Sequence, residues 1–173
     1  MSTIQQASIF NVKATLNTQM ATDLAAVTRP AWLPTLPTIY YTWPETEITP
    51  PAFSFTHIDV GAVDSWERRG VGGGLKGLAQ EAIMDVGCWV TRKRNRNWNA
   101  QLDTMRDMVM TVVTSTTEMV ILDYEANQST PATTSFLVRL GDSVARGTVP
   151  DSNNPDIERV RILIDYRWIF RSA

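Results

Sequence analysis

One cysteine and one histidine in 173 residues remove most metal and redox chemistry at the outset. Cys88 has no internal partner for a disulfide. No Cys-x-x-Cys, no His-Glu-x-x-His and no tetrahedral nitrogen and sulfur set can be built from Cys88 and His57 alone. No apolar run approaches the roughly 18 to 20 residues that span a bilayer, and Met1 to Gln6 lacks a basic n-region and an apolar h-region. A soluble, unexported product with no membrane partner is expected. Cations are not in excess either: 16 Lys and Arg stand against 18 Asp and Glu, for a formal net charge of -2. That balance argues against a dedicated nucleic-acid binder, whose phosphate contacts require a basic surplus. What remains is a globular composition, 43% hydrophobic and 20% charged, sufficient for a single domain over 1–173 with a sizeable core.

Hydrophobic periodicity places the elements. Ile9, Val12, Leu16, Met20, Leu24 and Val27 step by three or four, which predicts a helix of about five turns from near Ser8 to near Thr28. Arg29-Pro30 ends it, and Pro34 and Pro37 break the connector beyond it. Thr38 to Trp43 and Ala52 to Val60 are aromatic and β-branched, with Pro44, Pro50 and Pro51 between them, and read as a hairpin with a long loop. From Glu81 to Thr91, Ala82, Met84, Val86, Cys88 and Val90 share one face of a half-buried strand. A cationic turn leads into a helical stripe of Trp98, Leu102, Met105, Val109 and Val112, and Val120, Leu122 and Tyr124 begin another strand. Val160, Ile162, Ile164, Tyr166, Trp168 and Phe170 alternate with Arg159, Arg161, Arg167 and Arg171 in the longest strand pattern of the chain. These arginines cannot enter an apolar core unpaired, so one sheet face must meet water or another chain.

Two stretches lack a clear period. Gly61 to Ala79 holds Gly61, Gly70, Gly72, Gly73, Gly74 and Gly77 and reads as a flexible excursion. Ala126 to Asp156 reads as irregular around Phe136 to Leu140, which fits either a strand or one helical turn. The expected fold is α+β: a mainly antiparallel sheet of about five strands with two amphipathic helices packed on one side.

Catalytic chemistry is hard to find. His57 lies on a strand and reads as a face-of-sheet residue, and Cys88 reads as a small buried hydrophobe, so a Cys-His nucleophile pair is the weaker interpretation. The glycines of Gly70 to Gly77 lack the Lys-Ser/Thr ending of a phosphate loop. Asp103 and Asp107 flank Arg106 on the exposed face of a helix, where solvation explains them. No catalytic residue, cofactor or metal is assigned. The cationic turn Arg92, Lys93, Arg94 and Arg96, with Trp98 beside it, is open to three readings: a solvated loop, a protein contact through planar guanidinium groups, or a grip on single-stranded nucleic acid. As a protein contact it would be joined by Trp66, Arg68 and Arg69.

The run Asp85 to Arg92, the helix start Asn97 to Met105 and the strand Val120 to Tyr124 resemble the tail terminator proteins of long-tailed bacteriophages, the lambda type. The first helix, the Pro-rich approach to the first strands and the last strand Val160 to Phe170 resemble them too, so the likeness covers most of the chain. It implies a structural protein of the virion tail and neck, assembled in the host cytoplasm. Its partners would be further copies of itself in a homo-hexameric ring, the tail tube protein and a head-completion or connector protein. The ring would stop tube polymerisation and join tail to head, and genomic DNA would pass through without specific binding. The alternatives are another neck ring protein, a small nucleic-acid-binding module, and a small hydrolase using His57 and Cys88.

Overall fold

The computed structural model describes residues 4–5, 7–41, 48–67, 76–151, 154–169 and 171–172, of which 4–5, 59–67, 76–79, 135, 169 and 171–172 are described as backbone. The chain is α+β, with two helices and eight strands among the described residues, in the order β1 (Ile4–Gln5), α1 (Ile9–Ala26), β2 (Thr38–Tyr40), β3 (Ala52–Glu67), β4 (Lys76–Thr91), α2 (Trp98–Ser115), β5 (Glu118–Asp123), β6 (Ala132–Pro150), β7 (Ile157–Ile169) and β8 (Arg171–Ser172). One six-stranded sheet runs β2-β3-β4-β7-β6-β5, and β1 pairs separately with β8.

The expected sheet of about five mainly antiparallel strands is corrected on both counts: the main sheet has six strands and is mixed, because β2 lies parallel to β3, Thr38 beside Ala52. Thr38 to Val60 is therefore not a hairpin. Composition alone cannot distinguish a parallel pair from two strands joined by a wide turn. The Gly61 to Ala79 excursion is also reassigned in part. β3 and β4 remain paired through Val63 with Ala79, and again at Trp66 with Gly77 and Glu67 with Lys76, across bulges after Asp59 and Val63. Residues 68–75 lie outside the described residues. Ala126 to Asp156 is mostly strand: β6 pairs with β7 from Val138 opposite Trp168 to Pro150 opposite Glu158. Its pattern was illegible because Gly141 to Pro150 is exposed at every position except Ser143, so no apolar alternation marks it.

Period 2 separates the sheet's faces. Ala82, Met84, Val86, Cys88 and Val90 of β4 and Val160, Ile162, Ile164, Tyr166 and Trp168 of β7 are all buried on the side that carries the helices. Phe53 and Phe55 of β3 and Val138 of β6 join them. α2 supplies Leu102, Met105, Met108, Val109, Val112 and Val113, and α1 supplies Val12, Leu16, Met20 and Leu24. Both helices thus pack on one side, as their stripes predict, although Ile9 is exposed at the start of α1.

Buried polar residues do much of the positioning of α1. Thr15 Oγ1 accepts the Leu122 N–H at 3.0 Å and Asn11 Oδ1 accepts the Tyr124 N–H at 2.9 Å, so α1 satisfies donors along β5 and its adjoining turn that no strand pairs. Two residues on, Asn17 Oδ1 lies 2.9 Å from His57 Nε2 of β3. One helix therefore touches both margins of the sheet, which must curl to bring β3 and β5 within its reach.

Replacing Leu102 with alanine should lower unfolding free energy by about 3 kcal/mol, since it removes a fully buried side chain from between α2 and the sheet. An unchanged denaturation midpoint would contradict this packing.

Candidate functional site

The cationic turn sits where β4 leaves the sheet. Asp156 C=O, just ahead of β7, accepts the Arg92 N–H at 2.7 Å, and Arg92 C=O accepts the Asn95 N–H at 3.1 Å. Arg94 adopts a left-handed φ of 56°, unusual for a residue with a side chain. Asn95 organises the approach to α2. Its amide donates to Thr91 C=O at 3.0 Å and to Gln101 Oε1 at 2.7 Å, while its Oδ1 accepts the Asn97 N–H at 3.1 Å at the helix start.

The four cations differ in kind. Arg92 donates to Glu158 Oε1 at 3.0 Å, and the Glu158 side chain is only 5% exposed. The same guanidinium lies 5.8 Å from the Trp98 ring centroid. Lys93 pairs with Asp156 at 2.9 Å between two well-exposed side chains, an arrangement that adds little stability. Arg94 and Arg96 are exposed and have no ion-pair partner among the described residues. All four are exposed, but Arg92 and Lys93 also form ion pairs within the chain, and Trp98 is partly buried against the core.

The other proposed contact residues are not beside them. Trp66 pairs through its backbone with Gly77, near the far end of β4 from Thr91. At ~3.3 Å per residue that separation is roughly 45 Å. Arg68 and Arg69 lie outside the described residues. The basic turn and the Trp66 end thus occupy opposite ends of the β3–β4 ribbon.

His57 and Cys88 also fail to meet. His57 stands opposite Met84 and Cys88 opposite Phe53, on the same face but several residues apart along the ribbon. His57 Nδ1 is 3.0 Å from the Tyr166 hydroxyl and Nε2 faces Asn17, so both ring nitrogens are engaged. Cys88 is fully buried, and burial pushes its thiol pKa well up, against a smaller opposing pull from Arg106. Such a thiol stays protonated. Among the described residues no group of three or more His, Cys, Asp or Glu could hold a metal ion, and no helix is long and apolar enough to cross a membrane.

The sequence reading missed the chemistry of the face opposite the helices. Asp85, 2% exposed, receives a two-pronged contact from Arg161, whose Nε donates to Oδ2 at 3.0 Å. That hydrogen bond raises the Arg161 pKa. Glu81 pairs with Arg167, and the Arg159 guanidinium stacks 5.3 Å from the Trp89 ring centroid. Burial, followed by repulsion from Arg161, lowers the Arg159 pKa. The arginines of β7 therefore meet the acids and the tryptophan of β4, a match legible only once Glu81 is known to oppose Arg167. Trp89 Nε1 donates to Ser54 Oγ at 2.9 Å across Gly87, where an added Cβ would lie 2.5 Å from Ser54 Oγ and 2.7 Å from Trp89 Nε1.

Around these polar contacts the same face carries exposed apolar residues. Ile58, Val120, Leu137, Val144 and Val149 are each at least 36% exposed. Register puts all of them opposite the helix side.

No protein-family model and no curated protein matches this chain. The solved structures similar to this chain include one that matches over 94% of this chain and 96% of its own length, with a TM-score of 0.47 and 12% identity.

Two measurements check this geometry. Arg92→Ala should cost about 2 kcal/mol by stranding the buried Glu158 carboxylate, whereas Arg94→Glu with Arg96→Glu should stay within about 0.5 kcal/mol. Equal losses from the two proteins would contradict the division of roles. Gly87→Ala should destabilise by roughly 2 to 3 kcal/mol, because the new methyl displaces the indole from Ser54.

Proposed function

We propose that this chain is a structural assembly protein of the phage tail and neck: a ring of identical copies at the head-proximal end of the tail tube that terminates tube growth and joins tail to head. The observation that supports it best is the sheet face opposite the helices, which away from its Trp89 end carries exposed apolar residues. Five large apolar side chains stand in water there beside a built lattice of arginine and carboxylate pairs. Isolated apolar residues are ordinary on a surface, but several on one regular face suit contact with another chain. The resemblance of the Asp85 to Met105 and Val120 to Tyr124 segments to tail terminators supplies the particular role. Its partners are then its own copies, the tail tube protein and a head-completion or connector protein. DNA threads the ring without a dedicated binding site, and the protein resides in the virion after assembly in the host cytoplasm. Another neck ring protein is the nearest alternative.

A nucleic-acid module draws its support from Arg94 and Arg96, the exposed cations of the turn that lack partners among the described residues. Two such charges beside a partly buried tryptophan make a small footprint in a chain of net charge -2.

Native mass and electron microscopy of the purified protein test the proposal: a closed ring is expected. Arg94→Glu with Arg96→Glu should leave folding intact and weaken attachment of the ring to tail tubes, through repulsion of any carboxylates the turn meets. A monomer that binds oligonucleotides with an affinity falling steeply with salt would replace the assembly reading.

A further inference from the structure

Most of the sheet's margin at β5 is closed, and two stretches elsewhere are not. β5 covers β6 only from Ala132 to Arg139, and the Leu140 N–H then goes to Thr117 C=O. From Gly141 to Pro150, β6 has β7 on one side and, among the described residues, no strand on the other. On the opposite margin β2 covers only Ala52 to Ser54 of β3. Beyond Ser54, β3 has β4 on one side and, again among the described residues, no strand on the other. By contrast, Asn11 and Thr15 of α1 cap donors along β5. Buried side chains thus close one edge, while two others are open among the described residues.

We propose that copies of this chain join head to tail by strand pairing, β6 of one copy against β3 of the next. This rests on the ring reading and adds the contact that closes the ring. Three features carry it. First, neither open stretch holds a lysine or an interior proline, the residues that usually blunt a solitary edge. Second, direction alternates through the antiparallel run β3-β4-β7-β6, so an incoming β3 set beside β6 in the same orientation meets it antiparallel, like the pairs already within the run. Third, Val144 is 55% exposed and Val149 42% exposed on the face opposite the helices, and Ile58 is 45% exposed on the same face of β3. Continuing the sheet sets these apolar residues on one surface as cross-strand or diagonal neighbours.

Register adds a geometric condition. In the levels set by β4, the open part of β6 begins beside Ala82, where Leu140 aligns through Tyr166, and runs past Cys88, where Thr148 aligns through Val160. The open part of β3 begins at Phe55 beside Val86 and runs the other way. Copies standing level would share only the stretch from Ala82 to Val86, so full pairing requires successive copies to be staggered along the strands. A contact between two different edges is heterologous: it forms a ring when the rotation between copies closes and an open filament when it does not.

Exposed-edge substitutions test the junction. Val144→Lys spoils the β6 edge and Ile58→Lys the β3 edge, and both positions are exposed enough for melting midpoints to stay near wild type. By native mass, each variant alone should lose the ring and run as a monomer. A 1:1 mixture should form a heterodimer, because Ile58→Lys keeps an intact β6 edge and Val144→Lys keeps an intact β3 edge. Val149→Lys provides a second β6 variant should Val144→Lys lose its fold, with the same heterodimer expected. Rings that persist in the variants, or a mixture that stays monomeric, would overturn the junction while leaving the ring reading standing. A wild-type protein that never self-associates would overturn both. Open wild-type filaments, cut to heterodimers by the same mixture, would support the junction and overturn the ring.

Discussion

The antiparallel ladder between β4 and β7 is the constraint on which the rest of the molecule depends. It pairs Ala79 through Thr91 with Ile169 through Ile157 without a register shift. Because side chains alternate across a strand, this one alignment sends Met84, Val86, Cys88, Ile162, Ile164 and Tyr166 to the helices together. It sends Glu81, Asp85, Trp89, Arg159, Arg161 and Arg167 to the other face together. A slip of one residue would bury the arginines under α2 and put the core in water. The free energy opposing that slip is large, since each fully buried aliphatic or aromatic side chain contributes roughly 2 kcal/mol.

From that ladder the two faces acquire separate tasks. The helix side is apolar and closed, tied down at its margins by Asn11, Thr15 and Asn17 rather than by more hydrophobic surface. The opposite side combines salt-bridged pairs with exposed aliphatics, and at its Trp89 end Ile48 and Tyr40 pack over Ala52, Trp89 and Ile157. Asp85 and Arg161 illustrate the compromise: a carboxylate with almost no water of its own is tolerable because a guanidinium fork meets it across Gly87. The result is a face ordered enough to meet another surface yet apolar enough to gain from doing so.

The ends of the β3–β4 ribbon are equally distinct. At one end the turn from Arg92 to Asn97 is held by Asp156, Glu158 and Asn95, so its conformation belongs to the fold even though part of its charge faces outward. At the other end lies Trp66, a long ribbon away. A surface that used both would have to be long and could not be one compact patch.

Period and composition alone determined the helix face of this protein. The stripes of α1 and α2, the core side of β4 and β7 and the buried, unreactive place of Cys88 were all legible, because burial writes itself into hydrophobic spacing. The basic turn was legible as a cluster of charge. Tertiary structure alone decided which of those charges were committed, since Glu158 and Asp156 lie some sixty residues further along the chain and meet the turn only through β7. It also decided that β2 runs parallel to β3, that Asn11 and Thr15 cap β5, and that Gly141 to Pro150 is strand. The physical reason is common to all of these. Strand partners, edge caps and ion pairs are contacts between residues distant in sequence, and an exposed strand or a paired charge leaves no hydrophobic period behind to announce them.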